Sequence, residues 1–250
     1  MTSLRILPAT ATTAVLAALL ISPAAASAQR TDIGTVSGST AAAQLRRGLP
    51  SADTPAWAKT TLPTLTVRPD GAMTGYSRDL FPHWRDASTW GWPVAPNNAC
   101  DARNAALYRD GQGVTMSSTC TYLKGTWIDP YGAHRYDSTS DIDIDHIVPL
   151  AAAWRSGAAS WPATTRTAYA NNPLVLVSAD DSLNSSKGDK GPEAWKPPNK
   201  ASWCLYAVRW VAVKRAWTLT VNPAEKTALT SMLATCPPAS LTRTSITRPP

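Results

Sequence analysis

In 250 residues the chain has one phenylalanine, three histidines and four cysteines, and past its first thirty residues it has no long apolar run. Each shortage excludes something. Without a later apolar run, no segment of the mature chain is expected to span a membrane. No two cysteines stand at CxxC spacing, which argues against a structural zinc site of the finger or ribbon kind. The chain has no GxSxG stretch, so the nucleophile elbow of serine hydrolases is missing. It has no internal repeat, and no recognition-helix or finger motif of the kind that reads DNA sequence.

What is present starts with a leader. In "MTSLRILPATATTAVLAALLISPAAASAQR", Arg5 supplies the positive start, Ala14 to Ile21 a short apolar stretch, and Ala26-Ser27-Ala28 a small-residue cleavage site. Residues 1–28 therefore read as a signal peptide, cleaved after Ala28 or at Ala26, and the mature protein is expected to be secreted. Cys100, Cys120, Cys204 and Cys236 lie beyond it. An even count in an exported chain points to two disulfides. Three pairings are open, of which the local one, Cys100–Cys120 with Cys204–Cys236, is preferred. The formal charge of +7 hints at an acidic partner, with ordinary solubility as the plain alternative. Eleven tryptophans beside the single phenylalanine are expected mostly as packing.

Residues 29–62, rich in Thr, Ala, Ser and Gly, read as a flexible linker or pro-segment. Residues 63–236 read as the globular domain, and 237–250 as a disordered basic tail. Within the domain, helices are expected over "NACDARNAALYRDG", "PLAAAWRSG", "DDSLNSSKGDKG", "ASWCLYAVRWVAVKRAW" and "NPAEKTALTSMLATC". The last carries Asn222 as cap, Pro223 in the first turn and Glu225 three residues after the cap. Strands are expected in "CTYLKGTWIDPYG", "STSDIDIDH" and "PLVLVSAD". The composite is an α+β single domain, mostly helical and stapled by disulfides.

The stretch that carries chemistry is "STSDIDIDHIVPLAAAW". On a strand, Asp141, Asp143 and Asp145 share one face and the isoleucines the other. Asp141 and Asp143 read as a solvated acidic face. Asp145 differs because it directly precedes His146, and a backbone bend near Ile147-Val148-Pro149 would bring both to one place. A carboxylate is a hard ligand for Mg²⁺ or a similar ion, and a neutral imidazole can take a proton from water. The pair suits metal-assisted hydrolysis. A second ligand is sought in "SADDSLNSSKGDKGPEAW", where Asn184 is the candidate, and Lys187 shares its helical face and could hold a phosphate. As bland alternatives, Asn184 is a turn residue and Lys187 a solvated cation.

"DIDHIVPLAAAW" followed by "NSSKGDKGPEAWKPP" resembles the secreted HNH endonucleases of actinobacterial type, a branch of the ββα-metal nucleases. It is also similar to the nuclease domain of modification-dependent restriction enzymes. The likeness extends through "GYSRDLFPHW", "CDARNAALYRD", "GTWIDPYG", "WRSGAASW", "YANNP" and "CLYAVRWVAVKRAW", covering roughly residues 63 to 236.

The resemblance implies a ββα-metal core inside the helical domain. It makes His146 the general base and Asp145 and Asn184 the ligands of one divalent ion, Mg²⁺ first, with Mn²⁺, Ca²⁺ and Zn²⁺ as alternatives. The loop-bracing Asn of the family falls within "NNPLVLV", where this chain has Val175, leaving Asn171 or Asn172 to replace it. A transition-state cation is expected from Arg103, or second from Lys187. His83 and His134 are off the matched positions and read as a packed residue and a loop residue. The implied activity is largely sequence-non-specific endonuclease hydrolysis of DNA, with RNA as a second substrate, by a monomer, weakening at acid pH and high salt. Two other classes were weighed: a secreted cell-wall hydrolase using paired carboxylates, and a non-catalytic nucleic-acid-binding protein.

Overall fold

A computed structural model describes residues 32–92, 100–121 and 123–238. Residues 1–28, expected as a signal peptide, and residues 239–250 of the expected tail lie outside the described residues. Along the chain the main elements are β1 (Asp32–Thr35), α1 (Gly38–Ala42), α2 (Pro55–Thr61), α3 (Ala102–Asp110), β2 (Gln112–Met116), β3 (Leu123–Ile128), β4 (His134–Tyr136), β5 (Ile142–His146), α4 (Leu150–Arg155), α5 (Ala163–Ala170), β6 (Leu176–Asp180), α6 (Asp181–Lys187), α7 (Trp203–Ala216) and α8 (Pro223–Ala234). Short 3₁₀ turns join several of them.

Local chemistry accounts for the element ends. Asp101 caps α3 by accepting from the Asn104 amide, and the helix stops at Gly111. Asp180 caps α6 by accepting from Leu183 N, and Gly188, at φ +53°, ends it. Asn222 and Glu225 form a reciprocal capping box at the start of α8. Four antiparallel strands make one sheet in the order β1-β4-β3-β2, while β5 and β6 pair separately and antiparallel.

The β5–β6 pair lies between two cores. Ile142, Ile144 and Leu176 pack into the smaller one, with α3 and the Cys100–Cys120 disulfide. Val177 and Ala179 pack into the larger one, with Tyr206, Val208 and Trp210 of α7 and the Cys204–Cys236 disulfide. This is why all five residues of β6 are buried, the polar Ser178 and Asp180 included. The disulfides follow the local pairing, and no cysteine is free. The second one ties the first turn of α7 to the residues just after α8.

Residues 32–62 correct the linker expectation. β1 pairs with β4, and His134 of β4 forms an ion pair with Asp32 at 2.8 Å. Leu45, Ala58 and Leu62 sit in the larger core. Arg209 of α7 is fully buried and donates to the carbonyls of Leu45 (3.2 Å) and Arg47 (2.7 Å) as well as those of Pro173, Leu174 and Leu176. The segment is small-residue-rich because it packs closely against α7, and a few apolar side chains suffice to fix it.

Candidate active site

β5, β6 and α6 form the frame of the site. The β5–β6 register runs unbroken from Ile142↔Asp180 to His146↔Leu176, so the expected bend falls after His146, not between it and Asp145. Side chains therefore alternate: Asp143 and Asp145 face α6, and His146 faces the other way. α6 follows β6 without a loop and lays Asn184 and Lys187, three residues apart, against the two aspartates two residues apart. Two polar rungs result. Asn184 Nδ2 donates to Asp143 Oδ2 at 3.0 Å. Lys187 Nζ donates to Asp145 Oδ1 at 2.8 Å and to the His146 carbonyl at 3.0 Å.

The rungs differ in burial. Asp143 is half-buried, whereas Asp145 is 4% exposed and Lys187 0%. The second oxygen of Asp145 accepts from the Tyr131 hydroxyl at 2.6 Å. Burial pushes the Asp145 carboxyl up and the Lys187 ammonium down, and each charge holds the other ionised. Lys187 is thus neither a solvated cation nor presented to a substrate: its charge is spent within the fold. Asp143 is likewise more than a solvated face, because the Asn184 amide meets it.

His146 is held from the other side. Its Nε2 lies 3.0 Å from the Ala170 carbonyl. A carbonyl can only accept, so Nε2 carries the proton and Nδ1 the lone pair. Nδ1 has no protein partner among the described residues and is not among the atoms sealed from solvent. Burial, with the positive charge of Arg78 and smaller effects of His83 and Lys187, lowers the His146 pKa to about 3. The imidazole is neutral across the physiological range.

The segment Tyr76–Arg85 supplies a wall that the sequence reading left without a role. His83 lies edge-on, its ring 6.3 Å from that of His146, and hydrogen-bonds the Phe81 carbonyl at 3.0 Å. Trp84 stacks near His146 at 6.0 Å and takes a left-handed φ of +58°, a strained setting for a bulky residue. Asn171 holds that strain on both sides. Its Oδ1 accepts from Arg85 N at 2.8 Å and its Nδ2 donates to the Pro82 carbonyl at 2.8 Å. It also follows Ala170, whose carbonyl orients His146. Asn172 instead accepts from Leu174 N, and Val175 is buried in the larger core. Of the two asparagines, Asn171 is the one that bonds the backbone on both sides of this segment.

A cavity of about 350 Å³ opens over this frame, lined by Asp145, His146 and Asn184 together with Tyr76, Arg78 and Asp189 among others. Arg103 is elsewhere: it lines a separate cavity with Lys124 and Asp137, and its guanidinium approaches the Ile142 carbonyl at 3.5 Å. Of the residues expected to form the site, the structure gathers Asp145, His146 and Asn184 at one cavity, keeps Lys187 behind it and leaves Arg103 outside.

Compared with known proteins, residues 101–232 match the family described as GmrSD restriction endonucleases, C-terminal domain. The chain is 46% identical over 191 residues to a fungal protein from Arthroderma benhamiae named "Uncharacterized secreted protein". The match covers 75% of this chain and 87% of the relative. No solved structure matches the chain.

Proposed function

Because this chain belongs to the family of GmrSD restriction endonuclease C-terminal domains, we propose that it is a metal-dependent phosphodiester hydrolase of the ββα-metal (HNH) type, cutting DNA, and RNA as a second substrate, with little sequence preference. It is a secreted protein, in keeping with its relative's name and its two disulfides, and no helix among the described residues is long and apolar enough to cross a membrane.

The observation that carries the reading is the state of His146. A neutral imidazole whose proton is fixed on Nε2 by a backbone carbonyl, and whose Nδ1 is open beside a cavity, is arranged as a general base. In the proposed step Nδ1 takes a proton from a water. That oxygen forms a bond to phosphorus while the bond to the 3′-oxygen breaks, and the departing 3′-oxygen takes a proton from solvent water, leaving 5′-phosphate and 3′-hydroxyl ends. The Ala170 carbonyl stabilises the imidazolium that forms.

The donor set fits a hard divalent cation. Asp143 and Asn184 are already 3.0 Å apart at the open rung, and the Asn184 amide presents oxygen in place of nitrogen when turned over. Asp145 keeps unused lone pairs at the cavity wall, although both its oxygens are engaged. All four cysteines are in disulfides, so a thiolate zinc site is not offered. Mg²⁺ is the first choice, with Mn²⁺, Ca²⁺ or Zn²⁺ able to take oxygen ligands. Bound there, the ion would stabilise the charge that grows on the phosphate and leaving oxygen.

The test is nicking of supercoiled plasmid by the mature protein with Mg²⁺ or Mn²⁺, with EDTA, and with His146→Ala. Nicking should stop with EDTA and fall by at least about 100-fold in His146→Ala. A base must be neutral to act, and the lowered pKa keeps His146 neutral well below its usual value of 6.5. The acid fall in kcat/KM that it sets should lie near pH 3, well below 6.5. A cation at Asp143 and Asn184 acts in the same direction. Nicking that survives His146→Ala would discard the base assignment.

A further inference from the structure

We propose that Arg78 is the cation that binds the scissile phosphate, the role expected from Arg103 or Lys187. The inference rests on the nuclease reading above and deepens it.

Three observations support it. First, Arg78 is the one lysine or arginine among the residues lining the cavity that holds His146. Second, the other charges of the wall are engaged in ion pairs. Asp145 is paired with Lys187 at 2.8 Å, and Asp189 meets Arg155 at 2.9 Å, which it shares with Asp70 at 3.3 Å. Arg78 is exposed, and among the described residues its guanidinium has no hydrogen bond or ion pair. Arg78 is thus the cation of the wall whose charge no carboxylate among the described residues takes up, whereas Arg155 divides its charge between Asp189 and Asp70. A free guanidinium offers two parallel N–H groups to two phosphate oxygens, a geometry that neither a buried ammonium nor a distant arginine supplies.

Third, its backbone is fixed while its side chain is free. Arg78 opens a single 3₁₀ turn, Arg78–Leu80, capped by Ser77, whose Oγ accepts from Asp79 N at 3.2 Å. The Leu80 carbonyl accepts from Arg166 Nε at 3.0 Å, and the next residue, Phe81, is fully buried. On the other side Tyr76 packs against Phe81 and Trp154, with ring centroids 6.3 and 5.7 Å apart. A cation held at its root and loose at its tip can follow a phosphate from ground state to transition state at little cost in ordering.

The experiment compares wild type, Arg78→Ala, Arg78→Lys, Arg103→Ala and His146→Ala. It measures plasmid nicking with Mg²⁺, and binding of a fluorescent DNA duplex by anisotropy in EDTA. Arg78→Ala should lose about 100-fold in kcat/KM and Arg78→Lys about tenfold, while Arg103→Ala stays within about threefold. Arg78→Ala should also bind the duplex more weakly, with a salt slope about one unit shallower. Added guanidinium should restore part of the Arg78→Ala rate and none of the His146→Ala rate, which a merely structural role would not produce. If wild type cuts DNA in a His146-dependent way and Arg78→Ala cuts within threefold of it, the Arg78 assignment is overturned and the nuclease reading stands. If wild type cuts neither DNA nor RNA, the nuclease reading falls, and unchanged duplex binding by Arg78→Ala then overturns this one as well.

Discussion

Asp143 and Asp145 are chemically identical and two residues apart, yet their surroundings assign them different work. Asp145 accepts from Tyr131 and Lys187 in a buried setting, and removing one partner of a buried ion pair typically costs about 3–5 kcal/mol because the other charge is left stranded. Among the described residues Asp143 bonds the Asn184 amide alone, at a half-buried position. Asp145→Asn and Lys187→Met should therefore lower the unfolding midpoint sharply. Asp143→Asn should leave it within about 2 °C while weakening binding of Mn²⁺ or Tb³⁺ at least about tenfold. Thermal unfolding and metal titration read the two effects separately. An Asp143→Asn protein that binds metal as wild type would return the ligand role to Asp145. From the sequence, Asp145, His146 and Asn184 could be singled out because strand alternation and helical spacing are local rules. The partner of each was not legible. Tyr131 lies 14 residues from Asp145, and Arg78 lies 68 residues before His146. Only the packed fold brings them together.

At the scale of elements, the site is a strand pair, a helix and one strained turn, and the turn depends on Asn171. That side chain bonds the backbone on both sides of His83 and Trp84, and its amide also donates to the Thr167 carbonyl within its own helix end at 2.8 Å. Asn171→Ala should release Trp84 from its left-handed backbone and loosen the wall over His146. Expected are a loss of about 1–3 kcal/mol in stability and a fall in kcat larger than the rise in KM. Hydrogen exchange should locate the loosening in residues 82–85. Equal exchange in mutant and wild type would show that the turn holds itself. Helices were the more readable elements here because caps are written locally: Asn222 with Glu225 marks a start that the structure keeps. β1 and β4 were not readable, since three- and four-residue strands with a bulge carry no period to detect.

For the molecule as a whole, the stretch matching the family begins at residue 101, but the packed structure extends back to the first described residues, from 32 on. Composition hides the role of residues 32–62: a segment with few large apolar side chains has little material for a core of its own, yet it completes one built mainly by α7 and α8. A chain started at residue 63 should lose cooperative unfolding, whereas one started at 29 should keep it. A sharp thermal transition in the shorter chain would show that the segment is dispensable. Arg209 explains why the dependence is sharp. Its guanidinium is shared among carbonyls of residues 45–47 and of 173–176, the lead-in to β6, and nothing acidic is bonded to it. Two stretches more than 120 residues apart are thus read by one side chain. Any lineage that sheds the amino-terminal segment has to change position 209 in the same step, for example to leucine or methionine. Any graft of the catalytic frame into another protein must carry both stretches or neither, which makes this arginine a marker of which relatives share the whole architecture and which share only its centre.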